Sequence, residues 1–315
     1  MRRFLGPVLL GLGVFLVVLA GMFRFYVPDK LVKTPIDQYA QSVAPGPGSY
    51  FDSATLKEVQ GDLVARRTLK ADVGASSDDV AVWDVSVVLS TGTGTFVRAY
   101  VDRVATDRRS AEAVNCCGEA VDSQPTRHAG VSYKFPFDTK KQTYSFWDPN
   151  AKAAAPARFV SEEKIQGLTT YKFIQQIEPR QIRTQDVPGN LVGSTEATVT
   201  APVFYANTRT VWVEPRTGII VKGNEQNRTT LRDSAGADKL TVIQFDLTFD
   251  ETTQKQQADL AKDKIGTIRL VTLWLPVLAL ILGLLFIAGG LVLMRAADRT
   301  GGAAPLRDEE PVPVG

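Results

Sequence analysis

Histidine and cysteine are nearly absent: the 315 residues include one of the first and two of the second. That scarcity excludes much reactive chemistry at once. A zinc-type site draws several ligands from His and Cys. His128 with the adjacent Cys116 and Cys117 does not supply them, so no metal and no cofactor is expected. A serine or cysteine triad would have to use His128, which, beside Arg127, reads as an exposed loop residue. Ser161 and Lys164 match S-x-x-K in form, but the S-D-N and K-T-G companions of penicillin-recognising enzymes are missing. No glycine-rich phosphate loop leads from a strand into a helix. Adjacent acidic residues such as Asp78 and Asp79 would point to opposite faces of a strand and share no acid/base site. No catalytic residue is assigned, and the chain reads as a non-enzyme.

Charge of one sign is also lacking. Lys and Arg number 36 and Asp and Glu 34, a net charge of +2, so nothing points to a nucleic-acid partner. The cysteines are neighbours and form no disulfide framework. They are idle thiols or a vicinal disulfide that stiffens a turn, and this reading is preferred to a redox role, which wants a spaced pair with a partner base. No repeat of fixed period is found.

What the chain does have is an uncharged apolar run at each end, over 4–23 and 270–294. About 20 such residues in a helix match the hydrocarbon core of a bilayer. Residues 1–26 and 270–294 are therefore read as transmembrane helices. Arg2 and Arg3 before the first run, and Arg295 and Arg299 after the second, place both termini in the cytoplasm of a plasma-membrane protein. Lys262, Lys264 and Arg269 at the outer end of the second span oppose this assignment, but long domains translocate largely regardless of charge. A cleaved signal peptide is the alternative for the first run. Its length and the aromatic edge at Phe23, Phe25 and Tyr26 favour a retained anchor.

Between the spans, four prolines make 27–49 linker-like. Residues 50–249 read as a mainly β extracytoplasmic domain, a sandwich or stacked sheets. Expected strands are 68–73, 80–89, 95–104, 131–138, 158–160, 169–177, 210–214, 219–222 and 240–249. Ala81, Trp83, Val85 and Val87 alternate with Asp84 and Ser86, as in a half-buried strand. Thr91–Gly94 and Glu214–Gly218 read as hairpin breaks. Residues 250–269 form a juxtamembrane helix, and 295–315 a disordered cytoplasmic tail.

The richest local composition is aromatic. Tyr133, Phe135 and Phe137 alternate, Tyr144 and Trp147 follow, and Lys140 and Lys141 lie between. Two readings stand: a closed sheet core, or the apolar wall of a lipid cavity with the two lysines at its mouth for a head group.

At these residues the chain resembles a known family. The segments are Gly130-Val131-Ser132-Tyr133-Lys134-Phe135-Pro136-Phe137, then Tyr144 and Trp147-Asp148, Gly167-Leu168-Thr169-Thr170-Tyr171-Lys172-Phe173, and Val213-Glu214-Pro215-Arg216-Thr217-Gly218. With a span at each end, they are similar to the actinobacterial envelope family of unknown function labelled "PorA-family porin". The resemblance covers nearly the whole chain, and its motifs are turn and core residues. Polar growth factor A of mycolate-bearing bacteria, a relative within that family, is associated with trehalose monomycolate binding and envelope lipid trafficking. The resemblance thus implies a periplasmic-side β-rich domain with a lipid groove. It does not make the chain a transmembrane β-barrel, whose strands alternate and whose sheet must close.

The function expected is binding or handing on an envelope lipid or lipid-linked glycan, as accessory to an envelope transporter or cell-wall machine. The competing expectation is a scaffold that binds partner proteins through its sheet edges.

Overall fold

The computed structural model describes residues 2–27, 30 and 32–301, with side chains described between 4 and 296. It falls into two units, Met1–Val32 with Gly266–Gly315, and Lys33–Ile265.

The first unit is helical. Helix α1 spans Arg2–Phe25. At the other end of the chain, α2 (Glu251–Arg269), most of which belongs to the second unit, runs into a π-helical turn, Leu270–Trp274, and then α3 (Leu275–Gly301). Among the described residues, two helical stretches, Phe4–Phe25 and Glu251–Ala296, are long and apolar enough to cross a membrane. Their large side chains point outward, Phe4, Phe15, Leu284 and Leu285 among them. Where α1 meets α3, the contact is made by small residues. A Cβ on Gly13 would lie 2.7 Å from the Gly283 carbonyl oxygen, and one on Gly290 would lie 2.8 Å from that of Gly6. Glycines one heptad apart on each antiparallel helix thus let the backbones touch. α3 continues through the start of the segment expected to be a tail. The rest of that tail, from 302, lies outside the described residues, as do the side chains of Arg2, Arg3 and Arg299.

The second unit is built on one 12-stranded sheet. Its strands are β1 (Tyr39–Asp52), β2 (Lys57–Ala71), β3 (Val80–Thr91), β4 (Phe96–Asp107), β5 (Ala120–Val121), β6 (Gln124–Pro125), β7 (Tyr144–Asp148), β8 (Ala153–Ile165), β9 (Leu168–Pro188), β10 (Thr198–Val213), β11 (Ile220–Arg232) and β12 (Asp238–Thr248). The order is β6-β5-β4-β3-β2-β1-β12-β11-β10-β9-β8-β7. Each half is a meander of antiparallel neighbours, and β1 joins the halves by pairing with β12 over Gly48–Tyr50. The sheet curls until its ends are linked through the segment after β4. Ala113 bridges Thr106 of β4, Glu112 bridges Val131, and Val131 bridges Phe146 of β7. This corrects the expected sandwich: the hydrogen bonding is continuous from β6 to β7, so there is one curled sheet and not two.

Two further expectations are corrected. The linker-like segment 27–49 contains most of β1. Pro45 and Pro47 lack the N–H that a two-sided ladder needs. β1 accommodates them by pairing fully with β2, while its ladder with β12 covers only Gly48–Tyr50. Residues 131–138 form no strand. Tyr133 has φ 59° and Asp138 φ 52°, left-handed conformations that break a pleat. The period-two reading that put Tyr133, Phe135 and Phe137 on one face therefore fails.

Elsewhere the sequence pattern and the sheet agree. Ala81, Trp83 and Val85 of β3 lie in one buried cluster, with Asp84 and Ser86 on the other face and less buried. The Glu214–Gly218 turn closes the β10–β11 hairpin. Its Glu214 carboxylate accepts hydrogen bonds from the backbone N–H of Arg216 (3.0 Å) and Thr217 (2.8 Å). The segment after Tyr133 seats on this turn: Phe135 N–H donates to the Gly218 carbonyl and Thr139 N–H to that of Pro215. Two segments of the family resemblance thus meet in space. α2 starts on Asp250, whose carboxylate accepts from Thr253 N–H at 2.7 Å as an N-cap does. The Thr253 hydroxyl in turn accepts from Val43 N–H of β1.

Candidate ligand cavity

Inside the curl, the inward faces of both halves leave a cavity. About 120 Å³ of it is open to the centre of a water molecule, and the space between its walls, open mouth included, is about 1080 Å³. Ala44, Ala65, Val87 and Leu89 supply an apolar wall from one half, and Phe245, Leu247 and Phe249 from the other. A second, smaller cavity of about 60 Å³ shares Ser42, Arg67, Ser132, Tyr133 and Ile220 with it.

The aromatic segment divides between core and wall. Phe135 is fully buried, with its ring centroid 4.8 Å from Phe173, 5.4 Å from Phe146 and 5.2 Å from Tyr144. Phe135 and Tyr144 belong to a packed cluster and are not on the cavity wall. Phe137 is half-buried beneath the Lys134 ammonium, 3.8 Å from its ring centroid. Tyr133 and Trp147 do line the cavity. Lys140 and Lys141 are exposed and stand apart from it. The Lys141 ammonium pairs with Glu162 at 2.8 Å on the outside of the sheet.

The charges on the cavity wall come from residues the sequence reading missed: Arg67 of β2, Arg98 of β4, Arg209 of β10 and Glu225 of β11. Arg209 is fully engaged. It reaches Glu225 (2.5 Å), Asp148 (3.1 Å), the Gln175 side-chain oxygen (3.0 Å) and the Trp147 carbonyl (3.1 Å). Burial opposes its charge, but Glu225 and Asp148 outweigh burial and hold its pKa above the ordinary arginine value. Tyr205 also donates to Asp148, at 2.9 Å. Arg98 donates to the Asn150 amide oxygen at 2.6 Å.

Arg67 differs from both. Its guanidinium lies between two rings, 5.7 Å from the Tyr133 centroid and 5.5 Å from that of Phe249. Among the described residues, no hydrogen bond or ion pair engages it. Burial lowers its pKa, with no carboxylate in contact to reverse the effect. Two polar groups on the same wall, the Ser132 hydroxyl and the Trp147 indole N–H, are likewise buried without a partner.

His128 is a further correction. Its side chain is fully buried, not exposed in a loop. Nε2 sits 2.7 Å from Asp102, Nδ1 3.1 Å from the Thr126 carbonyl, and the ring packs on Trp147 at 4.3 Å. Tyr133 donates to the other Asp102 oxygen at 2.5 Å. Burial and the Asp102 charge both raise the Tyr133 pKa. The group braces the cavity wall from behind. Both imidazole nitrogens are engaged within the protein.

Cys116 and Cys117 are joined in a disulfide in the loop after β4. Their backbone N–H groups both donate to Glu119, at 2.8 and 3.0 Å. The pair does not line the cavity. Ser161 donates to Glu163 on β8, at 3.2 Å.

The model of the family described as Porin PorA matches residues 5–292. Two curated relatives carry the same description. One, from Corynebacterium resistens, is 25% identical over 66% of this chain and 70% of its own length. The other, from Corynebacterium amycolatum, is 23% identical over 84% of this chain and 91% of its own. Since the match takes in the whole β domain and most of both terminal apolar helices, this chain belongs to the Porin PorA family.

Proposed function

We propose that the chain is a non-enzymatic envelope protein whose β domain binds, and hands on, an envelope lipid or lipid-linked glycan, serving a transporter or assembly machine in the same membrane. One observation carries the reading: the sheet is mainly apolar within and mainly polar without. On β2, Leu63, Ala65 and Leu69 face inward, while Glu58, Gln60, Asp62, Arg66 and Lys70 are exposed. On β9, Gln176, Glu178 and Arg180 are exposed. A barrel that crosses lipid on its strands needs the reverse, an apolar outer band around a polar lumen. The porin name of the relatives is therefore not matched by strands built to face lipid. The terminal helices serve as the anchor, and the curled sheet works in water with an apolar interior.

Native mass spectrometry of the full chain, purified in a neutral detergent, tests this. The expected result is a bound mass released as lipid on activation. A chain that never carries lipid, and takes none up from extracts of its own envelope, would leave the scaffold reading in its place.

A further inference from the structure

The cavity is mainly apolar but holds an excess of positive charge. Three arginines line it against one carboxylate, Glu225, and that carboxylate is already spent on Arg209, together with Asp148. Arg98 meets only a neutral amide. Arg67 meets only the faces of Tyr133 and Phe249. A guanidinium held among apolar walls without an anion is costly, and stable proteins pair such groups. Its planar fork fits a carboxylate or phosphate, to which it can give two parallel hydrogen bonds. Ser132 and Trp147, whose hydroxyl and indole N–H are unpartnered among the described residues, line the same cavity. Val87, the cross-strand partner of Arg67, and Leu89, Phe245 and Leu247 supply apolar surface in the same cavity, with Arg98 opposite Leu89 and Glu225 opposite Leu247.

From this arrangement we infer that the cavity takes an anionic amphiphile, its carboxylate or phosphate head on Arg67 and a single alkyl chain along Val87, Leu89, Phe245 and Leu247. This rests on the lipid-binding reading and narrows it. The head-group contact is an inward arginine, not Lys140 or Lys141 outside. Arg98, across from Leu89, adds long-range attraction for an anion. Burial already depresses the Arg67 pKa, and a bound anion reverses that pressure by supplying the missing counter-charge.

The test uses the full chain in neutral detergent and four probes: hexadecanoate, hexadecyl phosphate, hexadecanol and inorganic phosphate. Binding is read by native mass spectrometry and by the shift in melting temperature. The anionic amphiphiles should bind at least tenfold more tightly than hexadecanol, and inorganic phosphate far more weakly than hexadecyl phosphate. Arg67→Gln should remove the preference for the anions, lowering their affinity about tenfold or more, while hexadecanol binding stays. Equal binding of hexadecanol and hexadecanoate to the wild-type chain would overturn the charge assignment and leave lipid binding intact. Tight binding of phosphate without a chain would show a free anion site and overturn the amphiphile. Failure of all three long-chain probes would sink the underlying lipid reading as well. The wild-type comparison decides the point even if Arg67→Gln does not fold.

Discussion

Lys134 shows how one buried charge ties stability to pH. Its ammonium donates to the Phe135 carbonyl at 3.0 Å and caps the Phe137 ring, and burial lowers its pKa to about 7. In the unfolded chain the group titrates near the ordinary lysine value, about 10.4. Between these values the unfolded state holds more protons, so stability must rise with pH across that window. Denaturant unfolding of wild type and Lys134→Met from pH 6.5 to 10 should show that rise in the wild type and lose it in the variant. A second residue settles the core-or-wall question for the aromatic segment. Phe135 is enclosed by Phe173, Phe146 and Tyr144, so Phe135→Ala should cost about 3–5 kcal/mol by the same measurement. A loss below about 1 kcal/mol would mean the ring faces open space. The charged cavity wall was legible in principle. Arg98, Tyr100 and Asp102 share the phase of Val104 on β4, and Arg209 that of Val211 and Val213 on β10. Extending period two from the apolar residues would have turned them inward. Composition alone treats an arginine as surface. His128 carried no such signal, because its burial comes from Asp102 and Trp147, remote in sequence.

At the scale of elements, alternation and turn chemistry reveal the regular strands, while irregular backbone is hidden. β3 and the β10–β11 hairpin follow directly from Ala81 to Val87 and from Glu214 to Gly218. β1 is masked by Pro45 and Pro47, and its strand state depends on what β12 leaves unpaired. Residues 131–138 look like a strand until the left-handed Tyr133 is known. Glycines in the motif segments differ sharply in what they permit. Gly218 has φ 72°, and a Cβ there would lie 2.0 Å from the Phe135 carbonyl oxygen, whereas Gly167, φ 80°, has open space around it. Gly167→Ala should therefore cost about 1 kcal/mol, the left-handed penalty alone. Gly218→Ala should cost clearly more, because backbone must also move. Melting curves of the two variants compare them; equal losses would mean that the contact between this turn and the Phe135 segment is not tight.

At the scale of the molecule, the sequence shows apolar ends and a β middle, but not that the middle is one sheet. Closure depends on Val131 bridging Glu112 and Phe146, pairings between irregular segments with no pattern to announce them. The helices set location. Arginines at both outer ends predict that the sheet lies outside the cytoplasm. A reporter active only in the cytosol should work at Gly315 and fail at Gly236, and activity at Gly236 would invert the topology. In the proposed function, the inside of the curled sheet holds the lipid. Ala65 lies on the cavity wall, and Ala65→Phe would fill that space while leaving the outer face and the helices unchanged. Lipid occupancy of the purified full-length variant, read by native mass spectrometry beside its melting temperature, is the most direct measurement. The account predicts that bound lipid is lost while the fold persists. A folded Ala65→Phe chain that carries as much lipid as the wild type would contradict it.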